Sequence, residues 1–285
     1  MGDILKISVD QQEDLAEQYR KERDGYEEEL ALALLLLFKR IGTDFHKVYK
    51  ESGIIIKAHL YEDQLIKILT DSYIEVMNHF SATMERNLKI QIEKTKSKET
   101  RQRSALILAV LLNSRGKIRA RSEAFIIPQV STHSELILNT TQNVLDKTVA
   151  DTIIELSEEL DGEIPNRGSV ADKSSDEINK KNKDRVGTIS ETEVGQASAK
   201  GKQIEAETLQ EDLASEDLNQ LMIEKRWISL ILGDRRESHL LAHGQIRELN
   251  EPFWIDNYQM MTPRDGSLGA PLGEIINCKC ESIYT

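Results

Sequence analysis

The chain has little of what compact enzymes are rich in. Of its 285 residues only five are Phe, two Trp and two Cys, and hydrophobic residues reach 39% against 30% charged. So lean a supply of core formers favours extended helices over one large globule. Two cysteines one residue apart make no disulfide framework, and a reduced compartment suits them better. The opening Met1-Gly2-Asp3-Ile4 lacks the basic and apolar parts of a signal peptide. Gly2 carries no myristoylation motif, because Ser or Thr is missing at the sixth position. The longest apolar run, Leu30 to Phe38, has nine residues and is too short to span a bilayer. We therefore expect a soluble protein made in a cytoplasm, with no membrane partner. A net charge of −12 argues against indiscriminate binding of the whole chain to nucleic acid, although a local basic face could still bind.

What is present is mostly helical in texture. Residues 10–50 read as one long helix with alternating acids and bases. Its apolar run Leu30–Phe38 covers every face and calls for burial on all sides, by other helices or by a partner chain. Ser52-Gly53 punctuates. A second helix is expected from Tyr61 to about Lys98, with Leu65, Leu69, Tyr73, Val76, Met77 and Phe80 at helical spacing. A third is expected over Ser104–Asn113. A fourth is expected over Ser131–Leu160, with Thr132 or Ser134 as its cap and Leu136, Ile137, Leu145, Val149 and Ile154 on its buried stripe. Residues 166–186, polar and glycine-containing, read as a linker. Another helix should follow from Gly187 to Lys225, broken near Gly195 or Gly201. The fold class is thus α+β: a mostly α-helical N-terminal region with long helices (1–165), the linker, and a small α+β C-terminal domain (187–285).

Two charged stretches stand out. Glu85 to Arg121 holds eleven Lys or Arg, among them Lys94, Lys96, Lys98, Arg101, Arg103, Arg115, Lys117, Arg119 and Arg121. Such a stripe can contact the phosphates of double-stranded DNA, meet an acidic partner, or simply be solvated. It lacks the interleaved aromatics that stack on single strands. Gln203 to Glu224 has seven acids and no base. It is either a solvated face or a match for a basic partner surface, for which the basic stripe of its own chain is one candidate.

The last sixty residues differ in texture and hold both tryptophans and both cysteines. Strands are expected at Trp227–Leu232, Gln245–Phe253 and Ile275–Ile283, with a short helix over Arg236–His243. A sheet of only a few strands is marginal alone and often needs a metal or partner as a staple. Cys278-Lys279-Cys280 with His239 and His243, four residues apart on one helix face, makes a Cys₂His₂ set suited to Zn²⁺. Asp234 is an alternative oxygen ligand. In an extended strand the two cysteines would share a face yet sit far apart for one metal, and plain burial of one thiol is the rival reading. Arg235, Arg236 and His239 could instead recognise an anion, or Arg236 could be buried against Glu251 or Glu274. No phosphate loop, nucleophile elbow or His-Glu-x-x-His helix is present, so no catalytic residues are assigned.

The terminal motifs resemble the phage head morphogenesis family, the minor head proteins that include the phage Mu F-like group. The quoted elements are Lys225-Arg226-Trp227, Arg236-Glu237-Ser238-His239, His243-Gly244, Pro252-Phe253, Pro263-Arg264-Asp265 and Asn277-Cys278-Lys279-Cys280, preceded by Thr188–Glu193. Glu191 stands where the family often has Arg, His243 where it usually has Asp or Asn, and Lys279 where it has Arg. The resemblance implies that Trp227, Asp234, Arg236, Gly244, Pro252, Phe253 and Asn277 form the structural motif. It also implies a minor capsid protein of the virion interior, present in the host cytoplasm during assembly. Such a protein associates with the portal protein and other head proteins, and can influence DNA packaging. A metal-dependent enzyme domain on a helical adaptor is the alternative.

Overall fold

A computed structural model describes residues 8–93, 98–215, 222–229 and 236–285. Four long helices come first: α1 (Val9–Ser52), α2 (Glu62–Glu93), α3 (Lys98–Glu159) and α4 (Arg167–Ser215). A short 3-10 helix, Ala58–Tyr61, precedes α2. The C-terminal part carries β1 (Glu224–Ile228), α5 (Glu237–Ala242), β2 (Ile246–Glu248), β3 (Phe253–Ile255), β4 (Tyr258–Met260), α6 (Leu272–Ile275) and β5 (Glu281–Tyr284). The fold is α+β, with long N-terminal helices followed by a small sheet region. No described helix is long and apolar enough to cross a membrane.

The chain forms two compact units, and neither is a continuous stretch. One holds residues 27–72 and 126–190; the other holds residues 1–26, 73–125 and 191–285. Each long helix therefore supplies residues to both. In the first unit Leu34, Phe38, Ile41 and Phe45 of α1 are fully buried, as are Leu65 and Leu69 of α2, Leu138 and Leu145 of α3, and Ile178 of α4. Gly53, with φ of +72°, stops α1, and its N–H donates to the Tyr49 carbonyl. The apolar run of α1 is not buried on all sides: Leu32 and Leu36 are about 60% exposed. Leu136 and Ile154 of α3 also face solvent, while Leu138 takes a buried place.

Four expectations about the helices are corrected. The third and fourth helices are one, because Pro128 lies inside α3 without ending it. The hydroxyl of Thr132, expected at an N-cap, donates to the Pro128 carbonyl in mid-helix. Residues 167–186 are not a linker but the first turns of α4, with Val170, Ala171 and Ile178 buried. Nor does α4 break at its glycines, which are sites of close approach. A Cβ on Gly201 would lie 2.8 Å from the Met77 carbonyl oxygen, and one on Gly195 would lie 2.3 Å from Nε of Arg264. Both residues keep helical geometry and let a neighbour reach the backbone.

The sheet of the second unit has the order β2-β1-β5, all antiparallel, and β3-β4 forms a separate hairpin. The register sets Trp227 opposite Ser282 and Arg226 opposite Ile283. Two apolar clusters flank it. Met84, Leu88, Val110, Leu209, Leu213, Ile223 and Tyr284 form one. Trp227, Ala242, Phe253, Ile255, Met260, Ile275, Cys278 and Cys280 form the other.

Candidate metal centre

Trp227 is the floor of the site. It is fully buried on β1, with its ring edge-to-face against His239 at 5.7 Å and against Phe253 at 5.3 Å. Its indole N–H donates to Ser229 Oγ at 3.2 Å, and that hydroxyl donates in turn to the carbonyl of His239. Strand β1 thereby fixes the start of α5, on which His239 sits. The other wall is the segment after α6. Asn277 adopts a left-handed conformation, φ +56°, which a short polar side chain tolerates. Beyond it Cys278-Lys279-Cys280 belongs to no regular element, since β5 begins at Glu281, and both sulfurs approach Nδ1 of His239. Arg236 donates to the Ile276 carbonyl at 2.5 Å and ties the two walls together. It caps backbone there; Glu274, offered as its partner, faces His239 instead.

The ligand atoms of His239, Cys278 and Cys280 lie within 4.8 Å of one another, all three residues are buried, and the group could hold a metal ion. Nδ1 of His239 is 3.5 Å from Sγ of Cys278 and 3.4 Å from Sγ of Cys280. Its Nε2 is 2.8 Å from Oε2 of Glu274, and the Ser238 hydroxyl donates to that same oxygen at 2.9 Å. Burial opposes ionisation of Cys278, but its contacts with Cys280 and His239 prevail and hold the thiol well below its usual range. The Cys278 contact, with burial, pushes the Cys280 thiol well up. Burial lowers His239, yet the neighbouring Cys278 outweighs it and the net shift is upward. The site thus favours one thiolate beside an imidazolium, with a second thiol protonated. A cation arriving here would displace protons.

Four ligands were expected, and among the described residues three converge. His243 is left outside. Helix α5 ends at Ala242, and His243 has ψ of 130°, so the four-residue spacing never shares a helical face. The His243 ring accepts from the Ser229 N–H through Nδ1 at 3.1 Å and lies 3.8 Å from Glu13. Asp234 and Arg235 lie outside the described residues. The remaining motif residues are structural. Gly244 turns at φ +81°, its N–H donating to the Trp227 carbonyl. Phe253 is fully buried beside the partly exposed Pro252. Lys225, fully buried, donates to the carbonyls of Leu249 at 3.0 Å and Met261 at 2.8 Å. Glu191 and Lys279, two departures from the family pattern, lie 3.5 Å apart as an ion pair.

No match is found among family models, characterised proteins or solved structures.

A second feature was not legible beforehand. Glu281, the residue after Cys280, is buried and faces three buried cations. Arg23 of α1 bonds its carboxylate, Lys202 of α4 donates to it at 2.6 Å, and Arg264 stands 3.9 Å away. Arg264 also donates to the Cys280 carbonyl at 3.1 Å. Burial, then Arg23 and Arg264, drive the Lys202 amine well below its usual range. The signal that could have found the cluster is a charged residue in the alternating pattern of a short strand, where an apolar one belongs.

The basic stripe meets acids of its own chain. Arg115 pairs with Glu85, Lys117 with Asp212, Arg119 with Glu123 and Arg121 with Glu211. The acidic stretch of α4 is thus matched to Lys117 and Arg121 of α3. Lys94 and Lys96 lie outside the described residues, as do the side chains of Lys98, Arg101 and Arg103 on α3. A shallow concavity on α1, lined by Asp14, Glu17, Gln18, Lys21 and Glu22, includes none of the metal-cluster residues.

Proposed function

We propose that this chain is a phage minor head protein that acts by binding, associates with the portal protein, and holds its C-terminal part together with zinc on His239, Cys278 and Cys280. One observation carries the reading. Motif residues from Trp227 to Cys280, scattered over more than fifty positions, meet at a single buried cluster. A tetrahedral zinc with one nitrogen and two sulfur ligands would set each nitrogen–sulfur edge at about 3.6 Å. The separations of 3.5 and 3.4 Å are close to that edge. The donor set is soft enough for zinc. Zinc would supply cohesion to a sheet of three short strands, and burial suits that role better than turnover.

The partners in this reading are the portal protein and other head proteins, inside the virion and in the host cytoplasm before it. Contact with packaged double-stranded DNA would fall to the basic stripe. Exposed pairs such as Arg119–Glu123 are worth at most about 1 kcal/mol and could yield to phosphate. The alternative, a metal-dependent enzyme on a helical adaptor, is favoured by one observation: among the described residues three donors converge, and none of the others fills a fourth coordination position.

Two measurements test the proposal. Elemental analysis of the purified chain is expected to find one zinc per molecule, and its loss on replacing Cys278 and Cys280 by Ser. Co-purification with the portal is expected at low salt; absence of affinity for portal, procapsid and DNA alike would defeat the head-protein reading whatever the metal content.

A further inference from the structure

We propose that Glu274, steadied by Ser238, is the positioning residue that orients His239 for metal binding, so that Nδ1 faces the two sulfurs. The inference rests on the zinc reading and deepens it. A ligating imidazole commonly gives its other N–H to a carboxylate, which fixes the tautomer and the ring plane and raises ligand basicity. Here Nδ1 points to Cys278 and Cys280 while Nε2 lies 2.8 Å from Oε2 of Glu274. The carboxylate is off the line of the N–H bond, and no other acceptor among the described residues satisfies Nε2. Glu274 is thus the one group placed to do so, by a small turn of its carboxylate or of the ring.

The local sequence supports the assignment twice. Ser238 precedes the histidine directly, and its hydroxyl donates to the same oxygen that faces Nε2. Glu274 lies four residues before Cys278, on the short α6 that leads into the cysteine segment. The two supporting residues therefore come from the same two segments that bring the histidine and the cysteines. The Glu274 side chain is 19% exposed and that of His239 is 4% exposed. The carboxylate keeps contact with water while the ring does not, which lowers the cost of retaining a charge at the edge of the cluster.

The test uses the full chain loaded with Zn²⁺ or Co²⁺. Zinc affinity is measured by competition with a chromophoric chelator for wild type, E274Q, E274D and S238A. E274Q is expected to bind zinc 10- to 100-fold more weakly, E274D to recover part of the loss, and S238A to fall between E274Q and wild type. The d–d and sulfur-to-cobalt bands of the Co²⁺ form should be the same in all four. Long-range ¹H–¹⁵N correlations of the zinc form should show His239 metal-bound at Nδ1 and protonated at Nε2.

Unchanged zinc affinity in E274Q, with wild type binding normally, overturns the inference alone. An altered Co²⁺ spectrum in E274Q also overturns it, because Glu274 would then be a ligand. Metal bound at Nε2 does the same. If the wild-type chain takes up neither ion, the zinc reading fails and takes the inference with it. Should E274Q lose its fold by circular dichroism, S238A decides, since it keeps every charge and every ligand.

Discussion

Glu281 shows how much one residue can carry. It is a single buried carboxylate among Arg23, Lys202 and Arg264. Removing its charge would leave buried cations without a counter-charge, which typically costs about 3–5 kcal/mol. Glu281→Gln is therefore expected to lower the denaturation midpoint severely. Lys202→Met should cost far less, because burial and its cationic neighbours already oppose the amine's charge. Glu205 is a second buried acid. Burial raises its carboxyl to about 7, and the Ser81 hydroxyl that donates to it offsets only part of the shift. The unfolded chain gives up this proton near 4.5, while the folded chain holds it to about 7. Its contribution to stability is therefore complete below about 4.5 and is lost as the pH rises through 7. The loss is on the order of 3 kcal/mol. Glu205→Gln should raise the melting temperature at pH 8 and change it little at pH 5, as thermal melts at the two pH values would show.

Among the elements, α4 is where periodicity and packing part company. From Glu193 to Ala206 nearly every position is buried, polar ones included, so no one-sided apolar stripe exists to be read. Its glycines look like breaks in sequence and are contacts in space. A glycine in an exposed helix interior costs about 1 kcal/mol against alanine, and a Cβ on Gly187 would meet nothing within 4 Å. Gly187→Ala should then stabilise by up to about 1 kcal/mol. Gly201→Ala should do the opposite, because its Cβ would press on the Met77 backbone, and overpacking typically costs about 1–3 kcal/mol. Chemical denaturation of the two variants gives opposite signs if close approach is what Gly201 serves. The register of β1 against β5 matters in the same way. It sets Ile228 opposite Glu281, joining the strand that bears Trp227 to the buried ion cluster.

At the scale of the molecule, the cysteine segment joins two systems. Cys280 belongs to the metal cluster, and its carbonyl is held by Arg264, a member of the ion cluster with Glu281 next in sequence. If zinc is bound as proposed, its chelation should therefore disturb more than the three donors. Hydrogen exchange is expected to quicken at β1 and β5, and around Arg23 in α1, with the residue 27–72 and 126–190 unit keeping its protection. Equal quickening in both units would mean that the metal governs the whole chain instead. The non-sequential make-up of the units is itself instructive: residues 8–26 group with the C-terminal sheet and not with the helix segment that continues them.

The sequence by itself determined that the N-terminal part is long helices, that α1 stops at Gly53, and that Leu65, Leu69, Tyr73, Val76, Met77 and Phe80 lie on a buried face. These follow from periods of three and four residues and from a turn glycine, both local in origin. It also marked the terminal motif and the donor types of its cysteines and His239. Only the tertiary structure decided which donors meet. His243 was excluded by where α5 ends, and Cys278 and Cys280 were carried to His239 by the turn after α6, where Asn277 is left-handed. The pairing of α3 cations with α4 acids, the clearance at Gly195 and Gly201, and the cations gathered on Glu281 were settled there too. Each depends on groups far apart in the chain, where no local period reports the partner, and on dihedral angles at one or two residues that decide where a whole segment points.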